Sequence, residues 1–241
     1  MYPQKIVKIK RIGIKPTVDI EVGSAEHLFY GNGIATSNSH AVSYAVNAYL
    51  SAFAKAHFPR IFFASYLRFA KDKIDPKAEI KELIQNANAM DIEVRVPDIR
   101  YLNKLFILKD KKIYFGLTDI KGFGESVYQK LYTLIKQLNI DFETVEWLSF
   151  AGNILCNISS ISARALIKSG ALSLFHKTRS AMLFEYELLN ELTKKELAFL
   201  LSKADSYKTL YDALLDLFHN HKLTSKRKQT IQALINTANI S

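Results

Sequence analysis

Asn38 followed by Ser39 is the adjacent pair with the most chemistry within its own reach. The Asn38 side-chain amide can attack its own main-chain carbonyl. That closes a five-membered succinimide and breaks the Asn38–Ser39 bond. The closure is intramolecular, so most of its entropic cost is removed once the geometry is held. Ser39 supplies a hydroxyl that can accept an acyl group as an ester. His27 suits a proton donor or relay, because the imidazole of histidine is the side chain that ordinarily gains and loses a proton near neutral pH. An isolated Asn-Ser pair would read as a helix cap behind a hairpin, so the meaning of this pair rests on the residues around it.

The elements that must position these groups change character near residue 38. Ile6, Val7, Ile9 and Ile12 are interleaved with Lys and Arg, and Thr17–Val22 alternates polar with apolar, as a half-buried strand does. Leu28–Tyr30 and Ile34–Thr36 flank Gly31-Asn32-Gly33, residues that tolerate positive φ and suit a hairpin turn. From Ser39 onward the period is helical. The sequence predicts helices over about 40–56, with Ser39 as N-cap, then 59–71, 77–90, 125–138, 159–168, 179–192 and 207–219. Asp91–Val96 reads as a short β segment, and Phe106–Leu108 with Ile113–Phe115 as a second hairpin across Asp110–Lys112. A β-rich segment of 38 residues cannot close a core alone and must pack on something else.

Composition narrows the classes. The chain has 241 residues, 49% apolar and 23% charged, an ordinary globular make-up. Lys and Arg number 33 against 23 Asp and Glu, a net charge of +10 that favours a polyanionic partner. Cys156 is the single cysteine, so no internal disulfide and no cysteine-based zinc site is expected. The sequence has no long apolar run and no signal-like N-terminus, which predicts no membrane contact and a cytoplasmic place.

The stretch His27–Ser39, with the Val18–Val22 strand upstream, resembles the C-terminal end of an intein. The strand, His27, the Asn-Gly turn, Asn38 and the hydroxyl of Ser39 stand in the family's order and spacing. The resemblance implies that Asn38 and Ser39 are catalytic, that His27 moves protons and that Asp19 positions Ser39. Ser39 would accept the upstream acyl group, and its freed amine would then restore a peptide bond. Ser37 stands where inteins usually carry His. With no N-terminal intein block, residues 1–38 resemble the C-terminal piece of a split intein. Its partner would be an N-terminal intein fragment on another polypeptide.

Ser39–Pro59 resembles the fingers region of bacterial DNA polymerase III α subunits, which carry Lys-Ser-His-Ala-x-x-Tyr and then Tyr-x-x-Ala-x-x-Lys-Ala-His-Tyr-Pro. Met90–Asp98, Ile113–Leu117 and Ala165–Leu172 continue that likeness. It implies that Ser39 and His40 lie near the incoming dNTP. It also implies that Mg2+ is bound by the other fragment, because no Asp-x-Asp pair occurs in this chain. Gly116–Glu125 looks like a helix-hairpin-helix turn. In such a turn Gly122 and Gly124 let backbone amides approach a DNA phosphate, and Lys121 adds salt-dependent attraction. Lys168 and Gly170 resemble a second, more degenerate hairpin.

The implied fold class is α+β: a short β-rich half-intein (HINT-type) segment, then a mainly α-helical fingers and helix-hairpin-helix region with a small β-hairpin. The implied domains are 1–38, the split-intein segment; 39–96, the fingers helices; 97–175, the helix-hairpin-helix region; and 176–241, a helical tail. The contiguous His219-Asn220-His221 is read as the polar end of a helix, and Lys222–Lys228 as a local basic run. The implied function is the C-terminal part of a replicative polymerase, joined to its N-terminal part by trans-splicing. Two alternatives stand beside it. One is a non-enzymatic helix-hairpin-helix module with a β dimerisation arm, and the other is a splicing-defective intein relic.

Overall fold

A computed structural model describes residues 28–31, 34–37 and 41–238. The expectations for Asp19, His27, Asn38, Ser39, His40 and the strands before residue 23 lie outside those residues. The chain divides into two compact units, Met1–Ala54 and Lys55–Ser241.

In the first unit, strands β1 (Leu28–Gly31) and β2 (Ile34–Ser37) pair antiparallel, with Leu28 opposite Ser37 and Gly31 opposite Ile34. This is the hairpin expected around Gly31-Asn32-Gly33. Helix α1 (Ala41–His57) follows, and the boundary between the units falls inside it. Tyr44, Val46, Tyr49, Leu50 and Phe53 of α1 are all exposed.

The second unit opens with α2 (Pro59–Phe69) and α3 (Pro76–Asn88), each with proline in its first turn, where a missing N–H costs nothing. Asp75 caps α3, its Oδ1 accepting from the Ala78 amide at 3.1 Å. Three strands follow: β3 (Val94–Arg95), β4 (Ile107–Lys109) and β5 (Lys112–Tyr114). The expected hairpin is present, and the short β segment before it joins the same sheet. β5 is central, antiparallel to β4 and parallel to β3, with Val94 opposite Ile113. Phe63, Leu67, Leu83, Ala87, Phe106 and Ile113 close a small core between this sheet and the two helices.

The rest is helical: α4 (Glu125–Gln137), α5 (Trp147–Asn153), α6 (Ser160–Ser169), α7 (Arg179–Asn190), α8 (Lys194–Leu201), α9 (Leu210–Asn220) and α10 (Ser225–Ala238). The helices α5, α8 and α10 were not individually expected. All seven share one core, in which Leu131, Phe150, Leu166, Tyr186, Leu214 and Ile231 are buried. His219 and Asn220 end α9, as a polar helix terminus should.

Glu196 links two of these helices. Only 3% of it is exposed, its carboxylate accepts from the Thr193 amide at 2.8 Å, and Arg227 of α10 donates to both its oxygens at 2.9 and 2.6 Å. Burial pushes the Glu196 carboxyl up, but the bonds from Arg227 and Thr193 outweigh burial and hold it below the usual range. Its folded value is thus depressed, so its stabilisation is present above the unfolded value of about 4.3 and is lost as pH falls through the folded one. Glu196→Gln should cost about 2 kcal/mol at pH 7, less than for a fully dry pair because Arg227 is partly wet. The variant should also flatten the pH dependence of thermal unfolding below pH 5. An unchanged midpoint at pH 7 would refute this role.

Candidate nucleic-acid interface

The loop between the turn at Leu117–Asp119 and α4 is held from below and from the side. Phe123 is buried in the helical core and its amide donates to the Ile120 carbonyl at 2.9 Å. That anchor leaves Lys121, Gly122 and Gly124 exposed above it. Gly122 has φ +90°, a region that a side chain enters only at a cost of about 1–2 kcal/mol. Gly124 differs. Its φ is −89°, which any residue adopts, and a Cβ placed there would meet nothing within 4 Å. Folding therefore does not demand glycine at 124, and a closely approaching ligand would.

Gly124 is also the N-cap of α4, where the first-turn amides have no partner within the helix and the helix dipole is positive. Glu125 stands in that turn, but its carboxylate bonds Lys104 at 2.8 Å and Gln129 at 3.0 Å. The Lys104 ammonium, and then the Gln129 amide, hold it below the usual carboxylate range.

Helix α6 forms the other wall. Ser159 caps it, and the Ser162 hydroxyl donates across to the Gly122 carbonyl at 2.8 Å, a contact between residues 40 apart. Between loop and helix runs an open groove of about 470 Å³ lined by Ile120, Lys121, Ile161, Arg164, Ala165 and Lys168. Two residues expected in separate hairpins, Lys121 and Lys168, thus stand on one groove, and both are exposed. The third cation, Arg164, is held by Glu187 of α7 at 2.6 and 2.9 Å, and its bonds keep the Glu187 carboxyl below its ordinary range.

Gly170 has a different place from the one expected. It ends α6 at φ +87°, is buried, and donates its amide to the Ile167 carbonyl at 3.2 Å. A Cβ there would lie 2.6 Å from the Arg179 guanidinium. It shapes the turn into α7 and presents no amide to a ligand. Ser162 and Ile161 were missed from the sequence. The cap pattern Ser159-x-x-Ser162 marked the start of the helix, but nothing local pointed to the carbonyl 40 residues away.

Among the described residues, no cluster of three or more His, Cys, Asp or Glu could hold a metal ion. These residues therefore do not fit the Mg2+ site of a polymerase. No described helix is long and apolar enough to cross a membrane.

Comparison with known proteins bears on this geometry. Residues 91–182, which contain the loop, α4 and α6, match the helix-hairpin-helix motif family. The chain is 32% identical to the DNA polymerase III subunit alpha of Deinococcus radiodurans over 139 residues, 58% of this chain and 10% of that one. It is 29% identical to the Staphylococcus aureus DNA polymerase III subunit alpha over 146 residues, 60% of this chain and 13% of that one. The chain thus carries a helix-hairpin-helix motif and is homologous to DNA polymerase III alpha subunits over that stretch. It spans only about a tenth of the length of these curated relatives.

Proposed function

We propose that this chain is the DNA-holding C-terminal part of a replicative DNA polymerase III alpha subunit. The observation that carries the reading is the exposed loop Lys121–Gly124 at the start of α4: Gly124 is a glycine that folding does not require, and Lys121, three residues before it, lines a groove together with Lys168. A phosphate seated there would accept from the amides around Gly122 and Gly124, while both lysines would neutralise the backbone without reading bases. The catalytic carboxylates, their Mg2+ and most of the dNTP contacts would belong to an N-terminal fragment. Replacing both Lys121 and Lys168 by Ala should weaken binding of a labelled mixed-sequence duplex about equally across sequences. The slope of log affinity against log salt should fall by about 2. Unchanged affinity and slope, measured by fluorescence anisotropy, would remove the groove from the DNA path.

The joining step of this proposal is trans-splicing at Asn38–Ser39. The ordered block from Asp19 through His27 to Asn38, meeting the polymerase-like sequence at Ser39 without a gap, supports it. In this reaction the Ser39 hydroxyl attacks the acyl carbon that joins the upstream fragment to its own intein piece; that bond breaks, the N-terminal intein piece leaves with the hydroxyl proton, and the upstream fragment is held on Ser39 as an ester. The Asn38 amide nitrogen attacks its own carbonyl carbon, and the Asn38–Ser39 bond breaks to free the Ser39 amine. That amine attacks the ester carbonyl, leaving a peptide bond and a restored hydroxyl. His27 would give the proton needed by the departing amine. The apolar exposure of α1 also favours a missing partner, since a helix apolar on several sides is ordinarily covered.

A further inference from the structure

Lys104 does not line the groove, yet it reaches the same loop from another side. Its backbone is fastened to the turn that opens the loop. The Lys104 carbonyl accepts from the Thr118 hydroxyl at 2.7 Å and from the Thr118 amide at 3.2 Å. The two segments run so close that a Cβ at Gly116 would collide with that carbonyl oxygen. Two residues earlier, the Leu102 carbonyl accepts from the Tyr128 hydroxyl of α4 at 2.8 Å. Lys104 is thus fixed beside the first turn of α4. Its ammonium lies 2.8 Å from the carboxylate of Glu125, the residue that directly follows Gly124.

Glu125 is out of keeping with a loop that receives phosphate. A carboxylate one residue past Gly124 repels an incoming phosphate, and at 0.1 M salt that repulsion is felt over about 10 Å. Stability does not demand the pair. The side chains are about half exposed, 45% for Lys104 and 51% for Glu125, and a pair so wet contributes at most about 1 kcal/mol. An acid in the first turn favours the helix dipole by a similar amount. What the pair does is park an ammonium at the start of α4. Lys104 first, then Gln129, and exposed Lys71 at longer range hold the Glu125 carboxyl below its usual range. Cations thus surround this one acid.

We infer that Lys104 is a further contact for the DNA backbone, held ready by Glu125 and given up to a phosphate when duplex binds. The inference rests on the reading that a phosphate sits at the Lys121–Gly124 loop. Such a phosphate meets an ammonium that already stands against the first turn of α4. Binding then moves one ion pair from Glu125 to the phosphate, and the freed carboxylate keeps the Gln129 amide as a donor. Glu125 therefore tempers the grip. Each capture breaks an internal pair, and each release is helped by its return. The contact is to backbone charge alone, so it is indifferent to base sequence.

The test uses the full chain and a labelled mixed-sequence duplex in a salt titration. Glu125→Gln frees Lys104, so binding should tighten about fivefold near 0.1 M salt, and the slope of log affinity against log salt should steepen by about 1. Adding Lys104→Gln to that variant should remove the whole gain. Glu143→Gln is the control. It changes the net charge equally but lies past the far end of α4, whose 13 residues span about 20 Å, and it should bind as wild type does. If Glu125→Gln binds no more tightly than wild type while Lys121→Ala with Lys168→Ala loses affinity, the inference is overturned and the groove reading stands. A gain that survives Lys104→Gln, or that Glu143→Gln matches, also overturns it, because repulsion or net charge alone then explains the effect. No effect of the groove pair, with the Glu125 and Lys104 effects in place, would remove the groove from the DNA path and keep Lys104 on it.

Discussion

Asn38→Ala should abolish the joined product when this chain is mixed with its N-terminal fragment. Alanine has no amide nitrogen to attack the carbonyl, so the Asn38–Ser39 bond has no intramolecular route to cleavage. An effective concentration worth about 7–11 kcal/mol of barrier is lost with it. Ester formation at Ser39 does not need Asn38, so the variant should accumulate a branched species. That species carries both polypeptides and falls apart in mild base. Ser39→Ala should give neither branch nor joined product. Intact mass spectrometry separates all three outcomes. Equal yields of joined product from wild type and Asn38→Ala would end the splicing proposal. Wild-type chain that gives only the branch would point to Ser37, standing where inteins usually place histidine.

Gly124→Val should separate binding from folding more sharply than any lysine change. The branched side chain would stand in the open space over the start of α4, where no protein atom lies within 4 Å of the added Cβ. Stability should fall by less than about 1 kcal/mol, the ordinary difference between cap residues. Two amide-to-phosphate bonds, each worth about 1.5 kcal/mol or more when the acceptor is charged, would be blocked. The loss, about 3 kcal/mol, corresponds to roughly a hundredfold in affinity. Gly122→Ala should behave in the opposite sense. It should lower the urea midpoint because of the φ of +90°, and its Cβ would make only ordinary contacts with Ile161 and Ala165. If Gly124→Val binds duplex as tightly as wild type, no phosphate sits at that helix start.

Much of the fold was legible because local chemistry marked it. Gly31-Asn32-Gly33 announced its hairpin, and Pro59 and Pro76 announced the starts of α2 and α3. The helix α5 was missed because its seven residues, Trp147–Asn153, are too few to show a period and include Ser and Gly. The helix α8 was missed although Thr193-Lys-Lys-Glu196 is a capping box that a closer reading finds. The parallel pairing of β3 with β5 joins Val94 to Ile113 across a connection that no turn signal encodes. The candidate interface divided in the same way. Lys121, Gly122 and Gly124 were visible as a glycine loop. Their union with Lys168 depends on the Ser162 hydroxyl reaching the Gly122 carbonyl, and the burial of Gly170 depends on Arg179.

That Ser162–Gly122 bond bears on how such a protein would travel. Ser162 is itself fixed by the cap Ser159, at 2.7 Å between hydroxyls, so the loop is braced before any ligand arrives. Phosphates along one strand recur about every 3.4 Å of rise and are alike whatever the bases. A braced loop that grips one phosphate therefore fits the next without refolding. If the groove holds duplex as proposed, each single-nucleotide advance of the duplex would return the loop to an equivalent energy minimum, so that a bound duplex could slide in equal steps without being released.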